Sequence, residues 1–313
     1  MEFRKLGNSG LKISEIGLGG NTFSWVVDEQ TSTAIINRAI ELGINYIDTA
    51  DMYDKGGSEE HVGRAVKGKR QQLIIATKFS RRMGDGPNDR GGSRYYIMRA
   101  VEASLRRLQT DYIDLYQMHE PDPETPIEET LRALDDLIRG GKVRYIGTSN
   151  FNAWQICEAL WVSKTQNLHS FITEQPLYNI LTRGIEKELV PFCWVHNIGI
   201  IPWGPLAGGF LTGKYRKGAP VSPEYRLASG MKLYGNLFTD ANWDKLAKLE
   251  KFATEREHTM GQLALAWLLA KPWVSTIIPG AHSVEQVTSN VAASQWKLSS
   301  EETSYLDTIT ASD

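Results

Sequence analysis

The chain repeats one pattern about eight times: a short apolar run, then a stretch in which apolar residues return every three or four positions. The short runs fall at 15–19, 45–48, 73–78, 112–118, 145–148, 171–174, 200–203 and 276–279. Most are continuous rather than alternating, which predicts parallel strands buried on both faces. The intervening stretches predict helices at 29–42, 58–66, 93–108, 126–140, 152–164, 184–196, 260–270 and 283–292. Ala34, Ile35, Ala39 and Leu42 form one stripe of the first helix, which stops before Gly43, a closing glycine. Ser93 is a candidate cap, and Arg106 and Arg107 suit the negative end of its helix. Pro126, Glu128 and Glu129 open the next helix, and Gly140-Gly141 ends it.

A strand–helix alternation along the whole length implies a parallel sheet. Eight units in 313 residues, about 39 each, predict an α/β fold of the (β/α)8 TIM-barrel type. The rival, an open doubly wound sheet, would need a G-x-G-x-x-G turn leading from the first strand into a helix. Gly17, Gly19 and Gly20 follow that strand, but Thr22 holds the third glycine position and no helix follows at once. Three pieces lie outside the alternation. Residues 3–14 predict an N-terminal β-hairpin, turning at Gly7-Asn8-Ser9-Gly10, that plugs the N-terminal mouth. Residues 204–240 form a long seventh strand-to-helix loop, whose length favours a ligand-covering role. Residues 299–309 predict an extra C-terminal helix. One barrel domain spanning 1–313 is the expected organisation.

Composition narrows the function. A net charge of −2 gives no electrostatic footprint for nucleic acid or an anionic membrane. The longest apolar run, 263–270, is far short of the ~20 residues that span a bilayer. The N-terminal residues lack the apolar core of a signal peptide, so a cytoplasmic protein is expected. Cys157 and Cys193 show no metal-ligand spacing and are expected to be buried thiols. His119 is the one histidine at a strand end, so no metal site is expected.

In such a barrel, chemistry gathers where strands end at the C-terminal face. There the chain presents Asp48 to Tyr53, Thr77-Lys78, His119-Glu120, Thr148-Ser149-Asn150-Phe151, Glu174-Gln175 and Pro202-Trp203. An ammonium near a phenol lowers the phenol's pKa from ~10. Asp48 would pair Lys78, Tyr53 would then be a tuned proton donor, and neutral His119 would orient a substrate oxygen. The set can polarise and protonate a carbonyl. Trp25, Met52, Phe79 and Phe151 are the candidate substrate-lining residues, and the glycine-rich loop 80–92 is a candidate lid.

These residues, together with the Gly147 to Phe151 run, Gln175 with Tyr178-Asn179, and Ile278-Pro279-Gly280 to Asn290, resemble the aldo-keto reductases from end to end. The run from Trp203 to Tyr215 resembles the branch holding voltage-gated potassium channel β-subunits and bacterial general reductases. The resemblance implies Tyr53 as general acid, tuned by Asp48 and Lys78, with His119 orienting the carbonyl and a nicotinamide giving hydride. It implies that Ser149, Asn150 and Gln175 hold the carboxamide and that Trp203 stacks on the ring. Gly204, Pro205, Leu206, Gly208 and Leu211 would cover the pyrophosphate, with Lys214 and Arg226 as cations. Gly280, Ser283, Gln286 and Asn290 would flank the adenosine end. Many relatives carry Lys and Arg where Gly280 and Gln286 stand, so NADPH is expected on the strength of Lys214 and Arg226, with NADH the alternative. The expected partner is a small aldehyde or ketone; oligomeric state is not legible. The rival reading is a cofactor-bound regulatory subunit, because such subunits can keep the catalytic set.

Overall fold

Two short strands meet first. In the computed structural model, which describes residues 1–223, 225–229, 234 and 236–311, β1 (Phe3–Lys5) pairs antiparallel with β2 (Lys12–Ser14), Phe3 opposite Ser14. The apolar runs then line up in chain order as a parallel sheet. Its strands are β3 (Leu18–Gly19), β4 (Tyr46–Asp48), β5 (Ile74–Phe79), β6 (Ile113–Met118), β7 (Val143–Ser149), β8 (Thr173–Gln175) and β9 (Gly199–Ile200). Sequence neighbours are spatial neighbours because each crossover is a helix lying on the outside.

The expected eighth strand at 276–279 forms no ladder of its own among the described residues. Instead Val274, Ile277 and Gly280 make single parallel bridges to Ile200, Ile16 and Gly19. The Ile277 amide donates to the Glu15 carbonyl at 3.1 Å, and the Gly17 amide to the Ile277 carbonyl at 2.8 Å. Pro279 offers no amide to extend this pairing. A Cβ on Gly19 would lie 2.9 Å from the Ile278 carbonyl oxygen, so the close approach needs glycine. These bridges close the sheet into a (β/α)8 barrel.

The barrel helices are α1 (Glu29–Glu41), α2 (Gly57–Ala65), α3 (Arg94–Leu108), α4 (Ile127–Arg139), α5 (Ala153–Gln166) and α6 (Leu189–Val195). After α7 (Asp240–Thr254) come α8 (Met260–Leu269) and α9 (Val284–Ala292), which complete the ring, and then α10 (Ser300–Ile309). Side-chain caps fix their starts: Ser93 accepts from the Tyr96 amide, and Asn152–Gln155 and Ser299–Glu302 form capping boxes. Gly43 follows α1 at φ +88°.

Four expectations shift. Helix α1 buries Ser32, Ile35, Ile36 and Ala39 while Ala34 is exposed, so its inward stripe is rotated. The helix expected at 184–196 splits into a 3₁₀ turn, Gly184–Lys187, and α6. Pro191 explains the break: with no amide it is tolerated only in a first turn, so the helix restarts at Leu189. Helix α7 escaped the pattern reading because it lies outside the alternation; Leu246, Leu249, Phe252 and Ala253 are its buried face. Cys193 is buried, but Cys157 is exposed on α5, between the equally exposed Trp154 and Trp161. An apolar neighbourhood in sequence did not make a buried face there.

One apolar cluster fills the space between strands and helices. A second, formed by Leu6, Ile13, Tyr46, Ala76, Leu115, Ile172, Ile201 and Ile278, fills the bottom of the barrel. Leu6 and Ile13 are fully buried in it, so the hairpin is a plug. Gly7 sits at φ +55°, and a Cβ there would lie 2.1 Å from the Ile172 carbonyl oxygen. Among the described residues, no helix is long and apolar enough to cross a membrane. Leu6→Ala should leave a cavity under the barrel and lower the unfolding free energy by about 3 kcal/mol. Urea denaturation followed by tryptophan fluorescence measures this loss.

Candidate active site

Parallel register brings the strand ends level. Asp48 of β4 pairs with Ala76 of β5, and Lys78 of β5 with Gln117 of β6. Lys78 is fully buried. Its Nζ donates to Asp48 Oδ2 at 2.5 Å, to the Thr49 carbonyl at 2.9 Å and to Tyr53 Oη at 3.3 Å. Those contacts use every donor of the ammonium. Asp48 Oδ1 accepts from Gln175 Nε2 at 2.8 Å and from Gln117 Nε2 at 3.3 Å. Burial alone would lower the Lys78 pKa, but Asp48 and Tyr53 outweigh it and hold the ammonium above its ordinary value.

Tyr53 departs from expectation. Burial pushes its pKa up, and the charge of Lys78 does not reverse this, with Asp48 pushing the same way. The resting phenol therefore keeps its proton. His119 lies edge-on to Tyr53, with ring centroids 5.8 Å apart. Burial, then the charges of Lys78 and Arg81, hold His119 well below the usual imidazole range, so it is neutral. Its Nδ1 is buried with no hydrogen-bond partner among the described residues. Asn150, at φ +60°, donates through Nδ2 to the His119 carbonyl at 3.0 Å and accepts from Trp203 Nε1 at 3.0 Å. Ser149 Oγ donates to the Gln175 carbonyl at 2.8 Å.

A cavity of about 790 Å³ opens over Tyr53 and extends to the start of α9. Of the residues expected there, Asp48, Tyr53, His119, Asn150, Gln175, Trp203, Gly204, Pro205, Leu206, Gly208, Lys214, Arg226, Gly280, Gln286, Asn290, Trp25 and Met52 line it. Lys78 lies buried beside Tyr53, reached through that hydroxyl. Two substrate candidates are misplaced. Phe79 is fully buried and stacks on Tyr116 at 4.7 Å. Strand side chains alternate, so the residue after an inward Lys78 faces the helices. Phe151 is buried and packs edge-on against Phe171 at 6.3 Å. Three cofactor candidates stand behind the cavity wall: Ser149 and Leu211 are buried, and Ser283 caps α9 by accepting from the Gln286 amide.

Other lining residues were not anticipated, among them Asn21, Arg81, Tyr234, Thr259 and Gln262. Thr259 and Gln262 were legible as the T-x-x-Q box that caps α8. Arg81 and Tyr234 lie in the loops 80–92 and 204–240 expected to cover the site, but nothing in the sequence marked either residue by itself. Gly204, Gly208 and Gly209 line the cavity at φ +67°, +64° and +92°, conformations that glycine adopts freely and that leave the backbone bare for a ligand. Lys214 and Arg226 both push the His282 pKa down, after burial, so their charges gather near the start of α9. A helix start adds amides that favour anions. The donor set fits a long, anionic ligand with an aromatic end at Trp203.

Residues 15–311 match the Aldo/keto reductase family. The chain is 39% identical over 299 residues to a probable voltage-gated potassium channel subunit beta of Arabidopsis thaliana, covering 94% of this chain and 91% of that one. It is 37% identical over 315 residues to the uncharacterized oxidoreductase YrpG of Bacillus subtilis, covering 96% and 93%. It is 34% identical over 335 residues to the versiconal hemiacetal acetate reductase of Aspergillus parasiticus, covering 98% and 96%.

Beneath the site, Glu174 is fully buried; it accepts from Thr148 Oγ1 at 2.5 Å and from the Phe151 amide at 3.1 Å. Burial outweighs those bonds and pushes its pKa up to about 8. The folded chain thus holds a proton that the unfolded chain releases at ordinary carboxylate values. This contribution to stability is complete below about pH 4 and is lost as pH rises through about 8. Urea midpoints measured from about pH 5 to about pH 9 should fall, and Glu174→Gln should make that fall shallower.

Proposed function

The chain belongs to the aldo/keto reductase family, and from that premise we propose that it is an NADPH-dependent enzyme that reduces small aldehydes or ketones to alcohols, working as one cytoplasmic barrel domain. One observation carries the reading: Tyr53, hydrogen-bonded to a buried Lys78–Asp48 ion pair, meets neutral His119 at one end of the cavity. A bound nicotinamide would supply the hydride. Tyr53 Oη gives its proton to the carbonyl oxygen. As negative charge appears on that phenol, the attraction of Lys78 grows, so the ammonium stabilises the transition state more than the ground state. Asp48 keeps Lys78 in place, and Gln117 and Gln175 keep Asp48 in place. Neutral His119 donates a hydrogen bond that orients the carbonyl.

Asn150 and Gln175, supported by Ser149, would hold the nicotinamide end, with Trp203 as its aromatic neighbour. Gly204, Pro205, Leu206 and Gly208 would present backbone to the pyrophosphate, and Leu211 packs beneath them. Lys214 and Arg226 would meet the phosphates, and Gly280, Gln286 and Asn290 the adenosine, with Ser283 holding the start of α9. Trp25 and Met52, joined by Arg81, would border the substrate. A second reading is a cofactor-bound interaction subunit. It is supported by the 39% identity to a protein named as a channel β-subunit.

A panel of aldehydes assayed by NADPH oxidation separates the two readings. Turnover supports the reductase, and tight NADPH binding with no turnover supports the subunit. Tyr53→Phe should cut kcat by at least about 100-fold, because it removes the general acid, and leave the NADPH Kd nearly unchanged. Near-normal turnover in that variant refutes the role of Tyr53. Lys214→Ala should weaken NADPH binding about tenfold more than NADH binding, as loss of a charge-assisted phosphate contact requires. Equal weakening of both would place Lys214 away from the 2′-phosphate, and tighter NADH binding by the unmodified protein would overturn the NADPH preference.

A further inference from the structure

Asp51 stands two residues before Tyr53, is 1% exposed, and has no place in the mechanism above. Its amide donates to the Lys78 carbonyl at 3.2 Å, which stitches its loop to β5. Its Oδ2 lies 3.2 Å from Tyr96 Oη on α3. Its Oδ1 is buried with no hydrogen-bond partner among the described residues. Tyr96 Oη also lies 3.1 Å from the Arg81 carbonyl oxygen. Arg81 lines the cavity, pairs with Glu120 at 3.1 Å and touches Met52 sulfur at 3.8 Å. Its charge reaches both Tyr53 and His119.

A phenol carries one proton. If Asp51 were a carboxylate, Tyr96 would donate to it and have nothing left for the Arg81 carbonyl. A carboxylate would also leave charge on the unpartnered Oδ1 in a dry interior, whereas the acid leaves only a neutral carbonyl oxygen there, a smaller cost. If Asp51 is a carboxylic acid, it donates to Tyr96 Oη, and Tyr96 donates to Arg81. Each contact, at 3.2 and 3.1 Å, then has a proton of its own instead of the two sharing one.

The surroundings agree. Glu59 of α2, fully buried between Thr77 and Arg107, turns a negative charge toward Asp51. Burial first, then Glu59, raise the Asp51 pKa to about 8, against Arg107 of α3 and the bonds from Met52 and Tyr96. From β6, the buried Tyr116 phenol adds no positive charge; burial and Asp51 raise its pKa, so it stays protonated. From β5 and the loop after it come Lys78, whose carbonyl accepts from the Asp51 amide, and Arg81, whose carbonyl faces Tyr96 Oη.

We propose that Asp51 is a positioning residue, held as a neutral acid, whose proton completes a chain through Tyr96 to the Arg81 carbonyl and so locks the Tyr53 loop to the loop that brings Arg81 to the cavity. Ionisation of Asp51 opens that lock. The activity arm of the test rests on the reductase reading, and the spectroscopic arm does not.

The first arm is infrared difference spectroscopy of the protein without cofactor, between about pH 6 and about pH 10, in a Glu174→Gln background that removes the other carboxyl carried to about 8. A protonated-carboxyl band should vanish on the alkaline side and be missing at both pH values in the added Asp51→Asn variant. A spectrum with no such band, or a band that survives Asp51→Asn, overturns the proposal. The second arm is the pH profile of kcat/KM with NADPH. The unmodified enzyme should lose about tenfold as pH rises through about 8, the worth of one buried hydrogen bond. Asp51→Asn, whose amide donates to Tyr96 at every pH, should hold its activity flat across that range. Tyr96→Phe should sit near the lower, alkaline level throughout. The same fall in the Asp51→Asn and unmodified proteins overturns the lock. If the unmodified protein reduces nothing, the reductase reading fails, and the infrared arm still decides the state of Asp51.

Discussion

A lysine with no exposed surface must have its charge answered, and much of this barrel's upper half is arranged around that demand. The Lys78 ammonium spends its donors on Asp48, the Thr49 carbonyl and Tyr53. Asp48 is then held by Gln117 from β6 and Gln175 from β8. The ion pair thereby fixes β4, β5, β6 and β8 relative to one another at the mouth. Removing either partner would strand a charge in the interior, a far larger loss than the pair's own net worth. Tyr53 thus rests on a support that cannot shift without unfolding cost.

The fold was legible because parallel strands covered on both faces have to be continuous apolar runs, and the chain shows them in order. What escaped was set by geometry beyond the local pattern. The eighth run has the right composition, but pairs through single bridges; Pro279 accepts from the Gly19 amide and has no amide of its own to extend them. Helix α7 lies outside the strand–helix rhythm that revealed the others. The Asp48–Tyr53–Lys78–His119 set was legible because strand ends converge at one face. Phe79 and Phe151 were misread because being near a strand end does not fix which side a residue faces. For Phe79, alternation from Lys78 would have settled it. The direction of the Tyr53 shift was missed for a different reason: a sequence shows the cation but not how dry its surroundings are.

The two ends of the barrel do opposite jobs. Below, the hairpin delivers Leu6 and Ile13 into an apolar cluster and seals the ring. Above, side chains of differing charge surround an open cavity. Buried carboxyls mark the boundary between these regimes. Glu174 and Asp51 are both carried to about 8 by burial, so each is an acid kept neutral where the wall is driest. One supports the strand ends of β7 and β8, the other the loop of Tyr53.

The manner of ring closure makes the cavity wall uneven in its strand pairing. Strands β5, β6 and β7 share long ladders, with four paired positions between the first two and five between the next. The seam at 274–280 has shorter pairing, its backbone bonded to Glu15, Gly17 and Gly19 on one side and to Ile200 on the other, and Gly19 and Gly280, which meet there, line the cavity. Segments with few shared hydrogen bonds open locally at lower free energy than the ladders beside them. The cavity therefore has one wall of long ladders, on which Tyr53 and the Lys78–Asp48 pair stand, and one of shorter pairing along the seam.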